Sequence, residues 1–252
     1  MQRSSLASAL AVVLVGTAVT ACTPATAART DVAWSSTSVP ASTHVERAPS
    51  SNAPTSSVAS TPAASDALAA LAALPVKGRA PKTGYNRAMF GQSWSDDVTV
   101  DGGHNGCDTR NDILKRDLTD VTFKPRTRDC VILTGTLKDA YTGTTIDFVR
   151  GQNTSSKVQI DHVVALADAW QKGAQQLTSE ERTDLANDPL NLQAVDGPTN
   201  QRKSASDAAS WLPPNKKYRC TYVTRQIEVK ARYHLWVTAA EKDAMTRILE
   251  KC

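Results

Sequence analysis

The sequence predicts an α+β domain over residues 79–252, and three observations carry that class. Strand-like runs at Asp129 to Leu137 and Thr145 to Val149 flank the turn residues of Asp139 to Thr144, the pattern of a β-hairpin. Apolar residues recur at helical spacing at Ile113, Leu114 and Leu118, and again at Leu166, Ala169, Trp170 and Ala174. The same region holds four cysteines, an even number that favours two disulfides if the chain leaves the cytoplasm.

Export is what the first residues predict. Met1-Gln2-Arg3 followed by the apolar run Leu6 to Val19 has the short basic start and brief apolar core of a secretory signal, too short to anchor as a membrane span. The run ends Val19-Thr20-Ala21-Cys22, which resembles a bacterial lipobox with Cys22 as the lipidated residue, giving a signal segment over 1–22. Cleavage near Ala25 to Ala28 by an ordinary signal peptidase is the alternative, and no tandem arginine marks the twin-arginine route. From 23 to 78 the chain is rich in Ala, Ser, Thr and Pro, too poor in large apolar residues to offset the entropy of ordering, and is expected to be a disordered tether. An alanine-leucine helix around Ser65 to Leu74 would be marginal alone. Trp34 and His44 stand without chemical neighbours and read as solvated.

Within the domain, Asp108 is placed to cap a helix running to Leu118, and the hairpin follows. Arg110, Asn111, Asp112, Lys115 and Arg116 on that helix either line a groove or form a solvated outer face. A helix is expected over Val164 to Gln176, with Trp170 in the core. Thr178-Ser179-Glu180-Glu181 is a capping box opening another helix, stopped at Asn187-Asp188-Pro189. A short strand Leu190 to Val195, a turn, and a helix from Thr199 or Asn200 to Pro213-Pro214 come next. A second capping box at Thr238 to Glu241 opens the terminal helix. Three cysteine pairings exist on paper, and neighbourhood suggests Cys107 with Cys130 and Cys220 with Cys252. No two cysteines have the roughly two-to-four-residue spacing of structural zinc sites.

The net charge of +4 does not by itself demand a polyanionic partner. Its distribution is more informative, because residues 202–252 hold eleven Lys and Arg against five acids, an excess of +6.

Chemistry concentrates where Asp161 directly precedes His162 at the end of the β-prone run Lys157 to Ile160. Extended backbone sets the carboxylate and the imidazole on opposite sides. A hard divalent cation takes oxygen ligands, so Asp161 with an asparagine carbonyl would hold Mg²⁺ while His162 stays free to accept a proton. An isolated Asp-His pair is more often a turn or a satisfied polar pair, so the neighbouring motifs decide. Ile160-Asp161-His162-Val163-Val164-Ala165-Leu166, then Pro189-Leu190-Asn191-Leu192-Gln193-Ala194-Val195, then Asn200-Gln201-Arg202-Lys203 resembles the HNH nuclease module of the ββα-metal (His-Me finger) type. From about Tyr85 to Cys252, including Asn105 to Asp112 and Trp211 to Lys216, the chain is similar to exported actinobacterial HNH proteins that share the C-terminal domain of GmrSD-type restriction enzymes. Asn200 stands where many HNH proteins carry a second histidine, and it remains a competent oxygen ligand.

The resemblance implies a ββα-metal core with added helices and an exported endonuclease hydrolysing phosphodiester bonds in DNA, with RNA as a further substrate. His162 would be the general base, and Asp161 and Asn200 would hold one Mg²⁺ or Mn²⁺. Asn191 would brace the loop and orient His162 through a side-chain hydrogen bond, and Lys203 with Arg202 would contact the substrate phosphate. The alternative is an envelope-tethered module that binds nucleic acid or another polyanion without cleaving it. Cell-wall hydrolysis finds neither a zinc-ligand set nor paired carboxylates among the motifs.

Overall fold

The computed structural model describes residues 62–252; the expected signal segment, Cys22 and most of the expected tether lie outside the described residues. The described part opens with a helix, α1 (Pro62–Ala73), where the sequence suggested a marginal one inside a disordered tether. The helix has found a packing face. Ala67, Leu71 and Leu74 are buried against Val223, Ile227, Met245 and Leu249 of two C-terminal helices, α6 (Arg219–Arg232) and α7 (Ala239–Leu249). Beyond α1, Val76 forms a parallel bridge with Val237, and Ala80 N donates to Gln171 O at 2.8 Å. Residues 62–78 therefore belong to the folded domain, and its boundary moves towards the N-terminus. Leu71→Ala is expected to destabilise the domain by about 3 kcal/mol, measured as a lower urea midpoint. An unchanged midpoint would return the segment to the tether.

Asp108 caps α2 (Thr109–Asp117) by accepting from Asn111 N at 2.9 Å. Leu118 ends that helix and at once opens a strand, β1 (Leu118–Phe123), which pairs antiparallel with β2 (Ile132–Lys138). The expected hairpin follows, β2 pairing with β3 (Thr145–Val149) from Thr134↔Val149 to Lys138↔Thr145. A second, two-stranded sheet pairs β4 (Val158–His162) with β5 (Leu192–Asp196), and α2 lies between the two sheets. Ile113 and Leu114 share one core with Leu118, Ile132 and Leu137 on one side and Ile160, Leu192 and Ala194 on the other.

Between β4 and β5 the chain builds α3 (Leu166–Gln171) and α4 (Ser179–Asn187). The single helix expected over Val164 to Gln176 is broken because Gly173 sits at φ +125°, and a Cβ there would crowd Leu235 and Trp236 at 3.3 Å. The capping box on α4 is present, Thr178 and Glu181 bonding reciprocally. Asp196 caps α5 (Gly197–Lys203), which stops well short of Pro213-Pro214 because Ser204 turns left-handed at φ +51°.

A buried ionic cluster ties these helices together. Lys172 Nζ lies 2.8 Å from Asp168, 2.8 Å from Asp207 and 2.7 Å from Glu241, while Lys230 meets Glu241 at 3.1 Å and Arg79 meets Asp207 at 2.6 Å. Disulfides join Cys107 to Cys130 and Cys220 to Cys252, the pairing that sequence neighbourhood suggested. The first clips the segment before α2 to the β1–β2 connection; the second joins the start of α6 to the residue beyond α7.

Candidate active site

Strand β4 alternates its side chains, so Gln159 and Asp161 share one face and Ile160 and His162 the other. Helix α5 covers the first face. Lys203, fully buried, donates to Asp161 Oδ1 at 3.0 Å and to the carbonyl of His162 at 2.9 Å. The Tyr141 hydroxyl donates to the other carboxylate oxygen at 2.5 Å. Burial raises the pKa of Asp161, with the Lys203 charge and the two hydrogen bonds opposing it. Asn200 stands at the end of the first turn of α5, where Nδ2 donates to Gln159 Oε1 at 3.0 Å and Oδ1 has no hydrogen-bond partner among the described residues.

On the second face, His162 is buried beneath α4. Its Nε2 lies 2.9 Å from the carbonyl of Ala186, and its ring stacks on Trp94 at 6.1 Å between centroids and 14° between planes. A carbonyl oxygen only accepts, so Nε2 carries the proton and the Nδ1 lone pair is left free. Burial, with the Arg87 charge adding to it and the Ala186 carbonyl opposing, pushes the imidazole pKa down to about 3. The ring is therefore neutral at physiological pH.

Asn191 is fully buried, but its hydrogen bonds bypass the imidazole. Oδ1 accepts from Val164 N at 2.8 Å, and Nδ2 donates to Leu185 O at 3.0 Å and to Val164 O at 3.3 Å. It ties the residues just after His162 to the residue just before Ala186. Contrary to the expected hydrogen bond from Asn191, the backbone of α4 holds the ring.

Asp161, His162 and Asn200 line one cleft of about 700 Å³ together with Gln159, Ser204 and two arginines, Arg87 and Arg110. Neither arginine forms an ion pair among the described residues. Burial and the nearby Arg150 lower the pKa of Arg110, with Asp108 opposing. The groove reading of the α2 charges therefore holds for Arg110 and fails for Arg116, whose guanidinium is spent on the carbonyls of Pro189 and Leu192. Arg87 was missed in the sequence because nothing before the fold brings residue 87 to residue 162.

The two cations expected on the phosphate lie elsewhere. Lys203 is sealed on Asp161, which corrects its reading as a phosphate contact. Arg202 is exposed, donates to Thr199 Oγ1 at 2.7 Å and does not line the cleft. Much of the C-terminal basic excess is likewise structural, with Lys230 in the ionic cluster, Arg225 on the carbonyls of Pro189, Leu190 and Leu192, and Arg232 on Asp188.

Among the described residues no three His, Cys, Asp or Glu side chains gather as a metal centre. The donors in the cleft are one carboxylate, whose two oxygens already accept from Lys203 and Tyr141, and side-chain amide and hydroxyl oxygens. That set fits a hard cation which keeps most of its water, as Mg²⁺ does, and does not fit zinc.

Fold and cleft together define a disulfide-bonded α+β domain that sets a neutral imidazole beside a carboxylate in an arginine-lined cleft. The profile of the GmrSD restriction endonucleases, C-terminal domain, matches residues 108–248, which include Asp161, His162, Asn191 and Asn200. An uncharacterized secreted protein of Arthroderma benhamiae is 38% identical over 193 residues, covering 76% of this chain and 87% of its own. No solved structure matches. The chain belongs to the GmrSD restriction endonuclease C-terminal domain family, a nuclease-related family.

Proposed function

We propose that this protein is an exported HNH-type endonuclease of ββα-metal architecture, hydrolysing phosphodiester bonds in DNA, with RNA as a further substrate. The observation that carries the reading is the Ala186 carbonyl on His162 Nε2, which leaves a neutral imidazole with one free lone pair in a cleft it shares with Asp161 and Asn200. Strands β4 and β5 followed directly by α5 supply the strand, strand, helix order that such a module needs, with α3 and α4 inserted between the strands.

His162 Nδ1 accepts the proton of the attacking water once the phosphate charge in the cleft offsets the Arg87 charge that helps to hold its pKa down, and Arg87 and Arg110 set the positive potential that draws a phosphodiester into the cleft. Asp161 and Asn200 Oδ1 would hold one Mg²⁺ or Mn²⁺, which when bound supplies Lewis-acid stabilisation of charge developing on the phosphate oxygens. Lys203 keeps the Asp161 carboxylate paired and oriented. Asn191 fixes the loop between His162 and α4. Export is supported by the two disulfides and by the printed name of the secreted relative, and a lipid on Cys22 would hold the enzyme at the outer face of the membrane.

The test is incubation of the purified, oxidised protein with supercoiled plasmid in Mg²⁺, Mn²⁺ or EDTA. Nicking with either ion and none in EDTA is expected. Plasmid retarded on a gel but intact under every condition would favour the tethered binding module.

A further inference from the structure

A second polar feature lies next to His162 and is used by nothing described so far. Asn187 is the last residue of α4 and is 1% exposed. Its Nδ2 donates to Thr183 O at 2.9 Å, which fixes the orientation of the amide. Oδ1 is left buried without a hydrogen-bond partner among the described residues. An acceptor in that position is destabilising unless something donates to it, and an ordered water is the usual donor.

The surroundings fit a water. Asn187 lines a chamber of about 20 Å³ together with Arg87, Ser93, Trp94, His162 and Ala186. One water needs roughly 10–15 Å³ in that measure, with at least two polar partners. The chamber adjoins the main cleft, and Arg87, Trp94, His162 and Leu166 form walls of both.

We propose that Asn187 is a positioning residue that holds the attacking water against His162, an inference that rests on the hydrolytic reading above. A water that donates one hydrogen to Asn187 Oδ1 and the other to the free imidazole nitrogen has its oxygen lone pairs turned to the cleft. Two acceptors at fixed positions remove the rotational freedom that a water on the histidine alone would keep. As the water oxygen bonds to phosphorus, its proton passes to the imidazole and the ester bond to the leaving sugar oxygen breaks. The leaving oxygen then takes a proton from solvent.

The test pairs a high-resolution crystal structure of the wild-type protein with steady-state kinetics of Asn187→Leu, which removes the acceptor at similar volume, and Asn187→Asp, which keeps an oxygen there. A water bonded to Oδ1 and facing His162 is expected. Asn187→Leu should lose kcat by about 30- to 100-fold at unchanged KM, and Asn187→Asp should retain most of it. A purely structural role would instead lower the melting temperature of both variants and leave the kcat of the folded fraction alone. Absence of the water, or full kcat in Asn187→Leu, overturns the proposal. If Asn187→Leu does not fold, the wild-type water and the Asn187→Asp kinetics still decide. A wild-type protein that holds the water yet cleaves neither DNA nor RNA overturns the hydrolytic reading itself, whereas cleavage without the water overturns only the role of Asn187.

Discussion

Replacing His162 with alanine is expected to lower plasmid cleavage by about 10²- to 10⁴-fold, the range over which a positioned base acts. The fold should survive the change. The His162 side chain makes one hydrogen bond, to the Ala186 carbonyl, and stacks on Trp94, while the β4–β5 register is set by backbone pairing from Val158↔Asp196 to His162↔Leu192. Far-ultraviolet circular dichroism identical to wild type, with cleavage lost, would place the proton transfer on this ring. Full cleavage by the variant would move the base elsewhere. Glutamine at 162 sharpens the comparison, because its amide can still donate to Ala186 while offering no basic nitrogen, and it should be as inactive as alanine.

The second large effect is on stability and comes from Asp161. Its removal leaves the fully buried Lys203 ammonium with only the His162 carbonyl as a partner. Breaking a buried pair from one side costs about 3–5 kcal/mol, whereas removing both charges together can be nearly neutral. Asp161→Ala is therefore expected to lower the urea midpoint steeply, and Asp161→Ala/Lys203→Met should recover most of that loss. Cleavage should stay absent in the double variant, because the carboxylate is still missing. Equal midpoints for the single and double variants would mean that Lys203 reaches solvent when Asp161 is gone. Loss of activity in Asp161→Ala alone therefore does not identify a metal ligand, and the double variant separates the two effects.

Local signals in the sequence carried far into the fold. Asp108, Thr178 and Thr238 cap the helices they were expected to cap, since a cap is decided within a few residues. The β2–β3 hairpin was legible for the same reason. Strand β1 was not, because Leu118 serves both helix and strand and no turn residue separates them. The break at Gly173 depends on Leu235 and Trp236, far along the chain, so periodicity alone extended the helix through it. Helix α1 was misjudged because its apolar face is small and gains meaning only against α6 and α7. At the site, the order of Asp161, His162, Asn191 and Asn200 along the chain drew attention to residues that do meet around one cleft or its supporting loop. Their partners Tyr141, Ala186, Arg87 and Trp94 come from separate segments, and no local pattern in any of those segments points to residues 161 and 162. Lys203 illustrates the limit of counting charge. A basic residue beside a motif can face inward as readily as outward.

The carbonyl that holds His162 belongs to α4, and α4 is fastened to the 3₁₀ turn Arg87–Phe90 through Arg182, which donates to Met89 O at 2.8 Å. Neither element is part of a sheet, and neither disulfide crosses this layer. A fluctuation that lifts α4 and the turn would free the imidazole to rotate while both sheets and both covalent links stayed whole. Leu185 and Ala186 of α4 pack in one core with Phe90, Trp170 and Leu235, so the seating of the imidazole depends on that core and on neither sheet nor either covalent link.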